Sequence, residues 1–337
     1  MSKKVALVSH EMSYTGAPRS LLNLALVLRN QGAEVEVWSM KEGPFEAEFA
    51  ACDMKPRIVD EAFPQQLKRY DTAVFNTIFT ASLCSMAQKD VRAVLYVREA
   101  KNIADIAAGN AGMTEHLCRI EEMICVSEYA EMYIKKYHPK TVHVVHNFVK
   151  DVYRGGVNYP WDGIVHFLVS GTLEWRKAQD IAVASFLGLP EKLRHMARLH
   201  IAGGKPQWAR EYWENLKLSH PGVVWHGEIQ DEKEKLAFYR KMNVFVIPSW
   251  DESCSLVALE GAMLGKAVIV SQNVGAKYMM RDEKYIFETG NGCDLTRKMA
   301  MLCSRRELLR QGLQMRRGYL RTSDEKLYRK EIKKILL

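Results

Sequence analysis

The feature that most constrains the fold is an alternation of short apolar segments with longer amphipathic ones, which occurs twice along the 337 residues. Short runs rich in Val, Ile and Ala predict buried strands of a parallel sheet, and the stretches between them predict the connecting helices. In the first half, strands are predicted at residues 5–9, 35–40, 73–76, 93–97, 123–127 and 142–146. In the second half, they are predicted at residues 165–169, 199–202, 223–225, 244–247 and 267–270.

The alternation is interrupted at residues 147–161, where Gly155, Gly156, Asn158 and Pro160 accumulate, and this composition predicts an interdomain linker. The sequence therefore predicts an α/β fold class with two Rossmann-like, doubly wound parallel-sheet domains that face a central cleft. The predicted N-terminal domain covers residues 1–155 and the predicted C-terminal domain covers residues 156–318. A C-terminal helix at residues 319–337 is expected to pack back on the N-terminal domain.

Missing motifs argue against several classes of protein. The loop at residues 9–18 contains only Gly16, so it lacks the Gly-x-Gly-x-x-Gly fingerprint of dinucleotide enzymes, and no P-loop sequence occurs. The seven cysteines are dispersed without a Cys-x-x-Cys pair, which argues against a zinc ribbon or a disulfide framework and favours a reducing compartment. The N-terminal apolar run is too short for a signal peptide, and no run reaches the roughly 18 residues of a membrane-spanning helix. We therefore expect a cytoplasmic protein.

The excess positive charge is concentrated at the C-terminal end. The formal net charge is +8, and residues 304–337 contain 11 basic and 4 acidic residues, a local excess of +7. A basic helical face attracts anionic lipid, so we expect peripheral contact with the cytoplasmic face of a membrane. The alternative is an ordinary solvated helix surface. No nucleic-acid-binding module occurs, and nucleic acid is not expected as a partner.

The most informative segment for chemistry is residues 244–275. A helix is predicted to begin near residues 253–255 with Ser253 or Ser255 as its cap, and the free amides of such a helix start attract anions. Glu252 and Glu260 bracket this helix start, and a carboxylate accepts paired hydrogen bonds from the vicinal hydroxyls of a sugar or ribose. Alternatively, Glu252 stabilises the helix terminus and Glu260 lies on the helix surface.

The order Pro-Ser-x-x-Glu-x7-Glu-Gly-x-x-x-Gly-Lys-Ala-Val-Ile, which starts at Pro248, resembles the donor-site signature of the retaining GT-B glycosyltransferases of family 4. The resemblance extends over nearly the whole chain. The Gly-Ala-Pro at residues 16–18, the Gly-Ala-Glu-Val at residues 32–35 and the Val-His-Asn-Phe-Val at residues 145–149 are similar to family motifs at the same places. So are the Ser-Gly-Thr-Leu-Glu-Trp-Arg-Lys at residues 170–177 and the glycines at strand ends near residues 203 and 227.

The resemblance implies a role for each matched residue. It implies that Glu260 contacts the ribose of the nucleotide, that Glu252 contacts the transferred sugar, and that Lys177 with Arg176 neutralises the donor diphosphate. With these cations in place, the resemblance implies that neither a metal nor another cofactor is required. The remaining donor-binding candidates are Gly16, Ala17, Gly171, Thr172, Gly203, His226, Gly227, Ser253, Cys254, Ser255 and Leu256.

Two positions depart from the family pattern. Thr172 stands where the family has an arginine, and Arg176 is the candidate that takes over part of its charge. Arg98 and Glu99 stand where the family often has His-Asp, and they are expected to act catalytically, with Arg98 holding an anion and Glu99 orienting it or acting as a base. The alternative is that the two residues form an ordinary ion pair at the end of a strand.

The resemblance therefore implies a retaining, metal-independent hexosyltransferase of glycan biosynthesis. Its donor would be a nucleotide sugar bound by the C-terminal domain, and its acceptor would be a saccharide or a lipid-linked saccharide bound by the N-terminal domain. Two alternatives remain open at this point, a nucleotide-sugar epimerase of the same fold and a non-catalytic partner subunit.

Overall fold

The computed structural model describes residues 2–138, 140, 142–153, 155, 161–216 and 218–337. The chain divides into two compact units. The first consists of Met1–Asn147 together with Glu325–Leu337, and the second of Phe148–Asp324. The division falls within the predicted linker, N-terminal to the predicted boundary at residue 155. Residues 156–160 of that linker lie outside the described residues.

The first unit contains a parallel sheet of seven strands in the order β3-β2-β1-β4-β5-β6-β7. The strands are β1 (Lys4–Ser9), β2 (Glu34–Ser39), β3 (Arg57–Ile58), β4 (Thr72–Asn76), β5 (Arg92–Val97), β6 (Glu122–Cys125) and β7 (Val142–Val144). The helices that connect them are α1 (Gly16–Asn30), α2 (Glu46–Ala50), α3 (Phe63–Leu67), α4 (Ala81–Ala87), α5 (Ile103–Gly109), α6 (Met113–Arg119) and α7 (Glu128–Ile134).

The first unit forms this sheet because the central strand β1 is apolar on both faces over residues 5–8. Residues 5–8 of β1 are fully buried, as expected for a strand in the centre of a parallel sheet that is covered on both sides. Helix α1 buries Leu21, Leu24 and Leu28 on one side, and it ends before Gly32, whose φ of +89° favours glycine. The apolar pattern of the sequence therefore specifies both the central strands and the first covering helix.

The second unit contains a parallel sheet of six strands in the order β10-β9-β8-β11-β12-β13. The strands are β8 (Val165–Ser170), β9 (Ala197–Ala202), β10 (Val223–Trp225), β11 (Val244–Ile247), β12 (Ala267–Ser271) and β13 (Ile286–Phe287). The helices are α8 (Gln179–Leu187), α9 (Glu191–His195), α10 (Arg210–Glu214), α11 (Glu232–Lys241), α12 (Leu256–Met263), α13 (Gly292–Leu302) and α14 (Arg305–Thr322). The last helix, α15 (Glu325–Leu336), belongs to the first unit.

Helix α15 is held by the first unit through apolar burial and through hydrogen bonds that its backbone accepts. Tyr328 and Ile332 are buried. Gln31 Nε2 donates to the carbonyl of Arg329 at 2.8 Å, and Arg92 Nη2 donates to the carbonyl of Ile335 at 2.6 Å. None of the helices in the described part of the chain is long and apolar enough to span a membrane.

All eleven predicted strands are confirmed, with ends that differ by a few residues. The sequence missed β3 and β13, which have two residues each. In both sheets the strand order reverses beside the first strand, between β1 and β4 and between β8 and β11. Doubly wound sheets bind ligands at the carboxyl ends of such a pair of strands.

A side chain from α14 completes the hydrogen bonding of a strand in the second sheet. Gln311 is buried, its Nε2 donates to Val268 O at 2.9 Å, and its Oε1 accepts from Val268 N at 2.8 Å. The amide of Ala267 donates to Asn243 O on the β11 side, so Val268 directs its polar groups to the opposite side. On that side, β13 pairs only with residues further along β12, so the Gln311 amide takes the place of a strand partner for Val268.

We expect Gln311→Leu to lower the free energy of unfolding by about 2–4 kcal/mol, because two buried backbone groups lose their partners. Urea titration measures this change. Gln314→Leu, at a half-exposed position of the same helix, is the control, and it should change the free energy by less than about 0.5 kcal/mol. A Gln311→Leu protein as stable as the wild type would contradict this account of the β12 edge.

Candidate active site

The loops that follow β8 and β11 leave neighbouring central strands of the second sheet. Because the strands are parallel, their carboxyl ends lie at the same edge, where the strand order reverses. The loop after β8 contains Arg176 and Lys177, and the loop after β11 contains Glu252. The fold thus brings together basic and acidic residues that are 75 positions apart in sequence.

An ion pair joins the two loops. Lys177 Nζ lies 2.8 Å from Glu252 Oε2, and the two side chains are only 20% and 16% exposed. Ser249 Oγ donates to the same carboxylate oxygen at 3.0 Å. The backbone of Glu252 is held as well, since its N–H donates to Asn273 O at 3.0 Å and its carbonyl accepts from Gly275 N at 2.8 Å. The carboxylate is therefore fixed by its side chain and by its main chain.

Charge, and not burial, decides the ionisation of Glu252. Burial alone would raise the pKa of its carboxyl, but the cations of Lys177 and Arg176, together with the hydrogen bonds from Lys177 and Ser249, bring the pKa below its usual value. Glu252 is consequently a carboxylate at neutral pH. It can accept hydrogen bonds from hydroxyl groups, and it stays paired with an ammonium that has further donors to offer.

Arg176 fastens the same two loops at a second point. Its Nη2 donates to Glu174 Oε1 at 2.6 Å, and its Nη1 donates to the carbonyl of Asp251 at 3.2 Å. Its own carbonyl accepts from Trp250 N at 2.9 Å. The arginine lies between the two loops and adds a second positive charge close to Glu252.

The turn that presents Lys177 has an unusual backbone. Ala178 is buried and has a φ of +53°, a left-handed conformation that residues with a Cβ adopt infrequently. This residue separates the short turn Trp175–Lys177 from α8. Departures of this kind are concentrated at functional sites, where the surrounding structure holds them in place.

Three predicted glycines lie together at the same edge of the sheet. The N–H of Gly171 donates to Ala202 O at 2.9 Å, and the N–H of Gly203 donates to Gly227 O at 2.7 Å. A Cβ on Gly203 would lie only 1.9 Å from the carbonyl oxygen of Gly171, so no larger residue fits there without movement. Lys177 packs over Gly171, 3.6 Å from the position that a Cβ would occupy. The glycines thus let three loops approach closely beneath the lysine.

Thr172, which replaces the family arginine, is exposed. Its carbonyl accepts from Nε2 of Gln179 at 2.8 Å, and Gln179 is fully buried at the start of α8. The side chain of Gln179 was not predicted as part of the site. It holds the loop between Gly171 and Lys177 against the helix that follows it.

The start of α12 adjoins Glu252 in sequence. Ser255 caps this helix, with its Oγ accepting from Ala258 N at 3.3 Å, so the predicted cap is confirmed. Cys254 is buried with its Sγ 3.8 Å from the hydroxyl of Tyr278, whereas Ser253 and Leu256 are half-buried. The amides of the first turn are the donors that a helix leaves available to an anion or a hydroxyl.

Glu260 lies about one turn along α12 and forms an ion pair that the sequence did not predict. Its carboxylate is 2.9 Å from Nζ of Lys235 on α11, and both side chains are 16% exposed. Lys235 also pairs with Glu232 at 2.9 Å. Glu260 is therefore a positioned carboxylate with a cation beside it, and not a freely solvated residue of the helix surface.

His226 is the last member of a chain of hydrogen-bonded imidazoles. His166 and His200 are joined at 2.8 Å, His200 and His226 at 2.9 Å, and His166 Nε2 lies 3.2 Å from Asp162. Burial, with the neighbouring His166, His226 and Arg198, lowers the pKa of His200 to about 4, so His200 is neutral at pH 7. With Asp162 ionised, Nε2–H of His166 donates to Asp162, Nε2–H of His200 donates to Nδ1 of His166, and Nε2–H of His226 donates to Nδ1 of His200. Nδ1 of His226 therefore remains as an acceptor.

The candidates of the first unit form a second cluster, at the carboxyl ends of β4 and β5. Arg98 donates from Nε to Asn76 Oδ1 at 2.9 Å and from Nη1 to Asn147 Oδ1 at 2.8 Å, and its guanidinium lies 3.6 Å from the centre of the Tyr96 ring. Glu99 is buried and accepts from the backbone N–H groups of residues 78 and 98 at 3.1 and 3.0 Å. Burial raises the pKa of Glu99 to about 7, although these hydrogen bonds oppose the rise.

Gly16 and Ala17 form the first turn of α1 in the same unit. Gly16 is exposed, and a Cβ placed on it would meet no atom within 4 Å. The carbonyl of Ala17 accepts from Nδ2 of Asn76 at 3.2 Å, which connects this turn to the cluster around Arg98. The structure thus distributes the predicted site residues over two groups, one in each unit.

We expect Lys177→Met to lower the free energy of unfolding by about 2–3 kcal/mol at pH 7, because it leaves the buried Glu252 carboxylate with a weaker partner. Because the pKa of Glu252 is lowered in the folded protein, the ion pair contributes its full stability at pH values above the usual pKa of a glutamate carboxyl. This contribution is lost as the pH falls through the lowered pKa. In the variant burial raises the pKa, so the difference from the wild type should narrow towards pH 4.

Urea unfolding at pH 7 and at pH 4 measures both differences. Lys233→Met is the control, since Lys233 is exposed on α11. Its replacement should cause the same small change in the free energy of unfolding at both pH values. A deficit of Lys177→Met that stays constant between the two pH values would contradict the assignment of the pKa shift to this pair.

Two family models match the chain. The model described as glycosyl transferases group 1 matches residues 165–305, and the model described as glycosyl-transferase family 4 matches residues 1–104. A D-inositol 3-phosphate glycosyltransferase of Acidothermus cellulolyticus is 32% identical over 139 residues, which is 38% of this chain and 30% of that protein. The match therefore spans less than a third of the length of that curated relative.

Solved structures share the fold over almost the whole chain. Alr3699/HepE of Anabaena, solved in complex with UDP-glucose, has a TM-score of 0.82 at 14% identity, with 99% of each chain covered. A glycosyltransferase of Rickettsia africae has a TM-score of 0.79 at 14% identity, with 99% of this chain and 98% of that chain covered. Since family models match parts of both units and the two-sheet fold is shared from end to end, the chain belongs to the group 1, family 4 glycosyltransferases and has the GT-B fold.

Proposed function

We propose that this protein transfers a sugar from a nucleotide-sugar donor to a saccharide or lipid-linked saccharide acceptor, with retention of the anomeric configuration and without a metal ion. The observation that carries the proposal is the Lys177–Glu252 ion pair at the point where the strand order of the second sheet reverses. Membership of the family and the UDP-glucose held by the similar Anabaena protein support a nucleotide sugar as the donor.

The second unit supplies the donor site in this proposal. Lys177 and Arg176 offset the charge that develops on the leaving diphosphate, a task that a metal ion performs in other transferases. The ammonium of Lys177 has three donors, so it can keep Glu252 and still donate to a phosphate oxygen. Glu252 accepts from hydroxyls of the transferred sugar. The amides of Ser253 to Leu256 contact sugar or phosphate oxygens, and Glu260 accepts from the ribose.

The glycine edge gives the diphosphate room to approach the backbone. Gly171, Gly203 and Gly227 lie at the same edge of the sheet as Lys177, and a side chain on Gly171 would contact the hydrocarbon chain of the lysine. Two further residues of this edge are proposed to contact the donor. Thr172 is exposed, and His226 offers its Nδ1 as an acceptor. Gly16 and Ala17 remain proposed donor contacts of the first unit.

The acceptor is proposed to bind to the first unit. Arg98 is held rigidly by Asn76, Asn147 and Tyr96, which suits it to orient an anionic or hydroxyl group. The pKa of about 7 at Glu99 suits a group that gains or releases a proton at neutral pH.

In the proposed step, the bond between the anomeric carbon and the phosphate oxygen breaks first and leaves an oxocarbenium-like sugar. The acceptor hydroxyl attacks the face from which the diphosphate departs, and its proton passes to a phosphate oxygen of the leaving group. A new glycosidic bond and a free nucleoside diphosphate result. Attack from the departure face retains the anomeric configuration, and no covalent sugar–enzyme intermediate is needed.

We expect Lys177→Met and Glu252→Gln to lower kcat by about 100-fold or more, because each removes a group that stabilises the transition state. A thermal-shift screen of UDP, GDP, ADP and dTDP first identifies the base, since a ligand of the folded state raises the melting temperature. Release of the nucleoside diphosphate from the corresponding donor sugars, with added acceptor, then gives the rates.

Lys233→Met is the matched control and should keep the wild-type rate. Wild-type rates in both site variants would refute the proposed site. A protein that converts the donor sugar without releasing nucleotide would be an epimerase, and one that is inactive with every donor would be a non-catalytic subunit.

We further expect the product to have the donor's anomeric configuration by proton NMR, and the rate to be unchanged after dialysis against EDTA. Both results follow from front-face attack and from a diphosphate that is neutralised by Lys177 and Arg176. An inverted product would exclude the proposed step. Loss of activity that Mg²⁺ or Mn²⁺ restores would exclude metal independence while leaving the transfer itself intact.

A further inference from the structure

The exposed side of α14 has a distinctive composition. Six exposed residues recur at intervals of three, four and one along this helix and fall within about 100° of its circumference. We call them the arginine stripe: Arg306, Arg310, Leu313, Arg317, Leu320 and Arg321. Leu313 and Leu320 are 44% and 45% exposed. The stripe thus combines four cations with two exposed apolar side chains.

The packing of α14 fixes the direction of the stripe. The opposite side of the helix buries Leu308, Gln311, Met315 and Tyr319 in the second unit. Gln311 is bonded to Val268, and the hydroxyl of Tyr319 donates to Val149 O at 2.8 Å. The helix therefore cannot rotate to bury its leucines without giving up these contacts.

The stripe lacks the acidic residues that neutralise other helices of this chain. Helices α6, α10, α13 and α15 each pair a basic side chain with a carboxylate four residues away. In α14, residues 308–322 contain no Asp or Glu. Arg310 pairs with Glu307 at 3.0 Å near the N-terminal end, so the unneutralised charge is concentrated around Arg317 and Arg321.

We infer that the arginine stripe binds the surface of a bilayer that contains anionic lipids. Guanidinium groups form paired hydrogen bonds with the phosphates of lipid headgroups, and leucines set between them gain by entering the adjacent apolar layer. A polynucleotide offers phosphates but no apolar layer for the leucines. A merely solvated helix requires neither the exclusion of acids nor two leucines in the same line.

Membrane binding by the arginine stripe does not depend on the proposed transfer reaction. It does complement a lipid-linked acceptor, because an enzyme held at the bilayer meets such a substrate at a high local concentration. Binding is measured without donor or acceptor, so failure of the membrane contact and failure of the proposed reaction are separate results.

The test is co-sedimentation of the full chain with vesicles of phosphatidylcholine alone or with 30 mol% phosphatidylglycerol, in about 0.1 M salt. We expect binding to the anionic vesicles only, and its loss at about 1 M salt, where charges are screened within about 3 Å. Arg317→Glu/Arg321→Glu should weaken binding by about 25-fold or more, since each basic residue contributes about five-fold near such a surface. Leu313→Ser/Leu320→Ser should weaken it without changing the charge.

The matched control is Lys330→Glu/Lys333→Glu, which makes the same change of charge on exposed residues of α15. It should retain most of the binding, and unchanged melting temperatures should show that all variants are folded. Equal loss in both charge variants would overturn the assignment to α14. The assignment would also be overturned if the leucine variant bound the anionic vesicles as well as the wild type does and the protein bound a single-stranded oligonucleotide tightly. That combination would identify a nucleic-acid surface. Absence of wild-type binding to the anionic vesicles would refute the inference outright.

Discussion

The ion pair between Lys177 and Glu252 is the interaction on which the candidate site depends. It joins the loops of the two strands at which the order of the second sheet reverses, and each partner controls the state of the other. Without the cation, burial would favour a protonated Glu252, which is a poorer acceptor for hydroxyl groups. Without the carboxylate, a lysine that is four-fifths buried would lack its anion. The same pair therefore stabilises the loops and keeps both side chains ionised, the lysine for a diphosphate and the carboxylate for a sugar.

Close backbone contact is the second constraint on this site. The approach of Gly203 to the carbonyl of Gly171 permits the loops after β8 and β9 to meet, and Lys177 rests above them. A Cβ on Gly203 would clash with the carbonyl of Gly171 and separate the loops. A Cβ on Gly171 would meet the side chain of Lys177 at 3.6 Å, and the φ of +143° at Gly171 itself favours glycine. The identity of these residues thus follows from packing inside the second unit, and the space that they leave for a ligand is a consequence of the same geometry.

The sequence was most informative where burial is continuous. Central strands contain continuous buried apolar runs, such as residues 5–8 of β1 and the whole of β11, and these runs identify them. By contrast, β3 has two exposed residues, and neither β3 nor β13 is long enough to show a pattern. Glu252 and Lys177 were both recognised, but their contact depends on which strands are neighbours. The imidazole chain was missed for the same reason, since its members are 34 and 26 residues apart and meet only through strand order and register. Lys235 lies on a different helix from Glu260, and no local spacing connects them.

The charges of the second unit are used in two distinct ways. Lys177, Arg176 and Lys235 are partly buried and paired, so their fields are confined to a small volume in which screening by salt is weak. The cations of the arginine stripe are exposed and, beyond Arg310, have no acid on their own helix, so their field extends into solvent and declines over about 10 Å at 0.1 M salt. The first arrangement suits recognition of one anion at fixed geometry, and the second suits attraction to an extended anionic surface. A formal net charge of +8 therefore says little by itself, because its effect depends on which cations the fold has already neutralised.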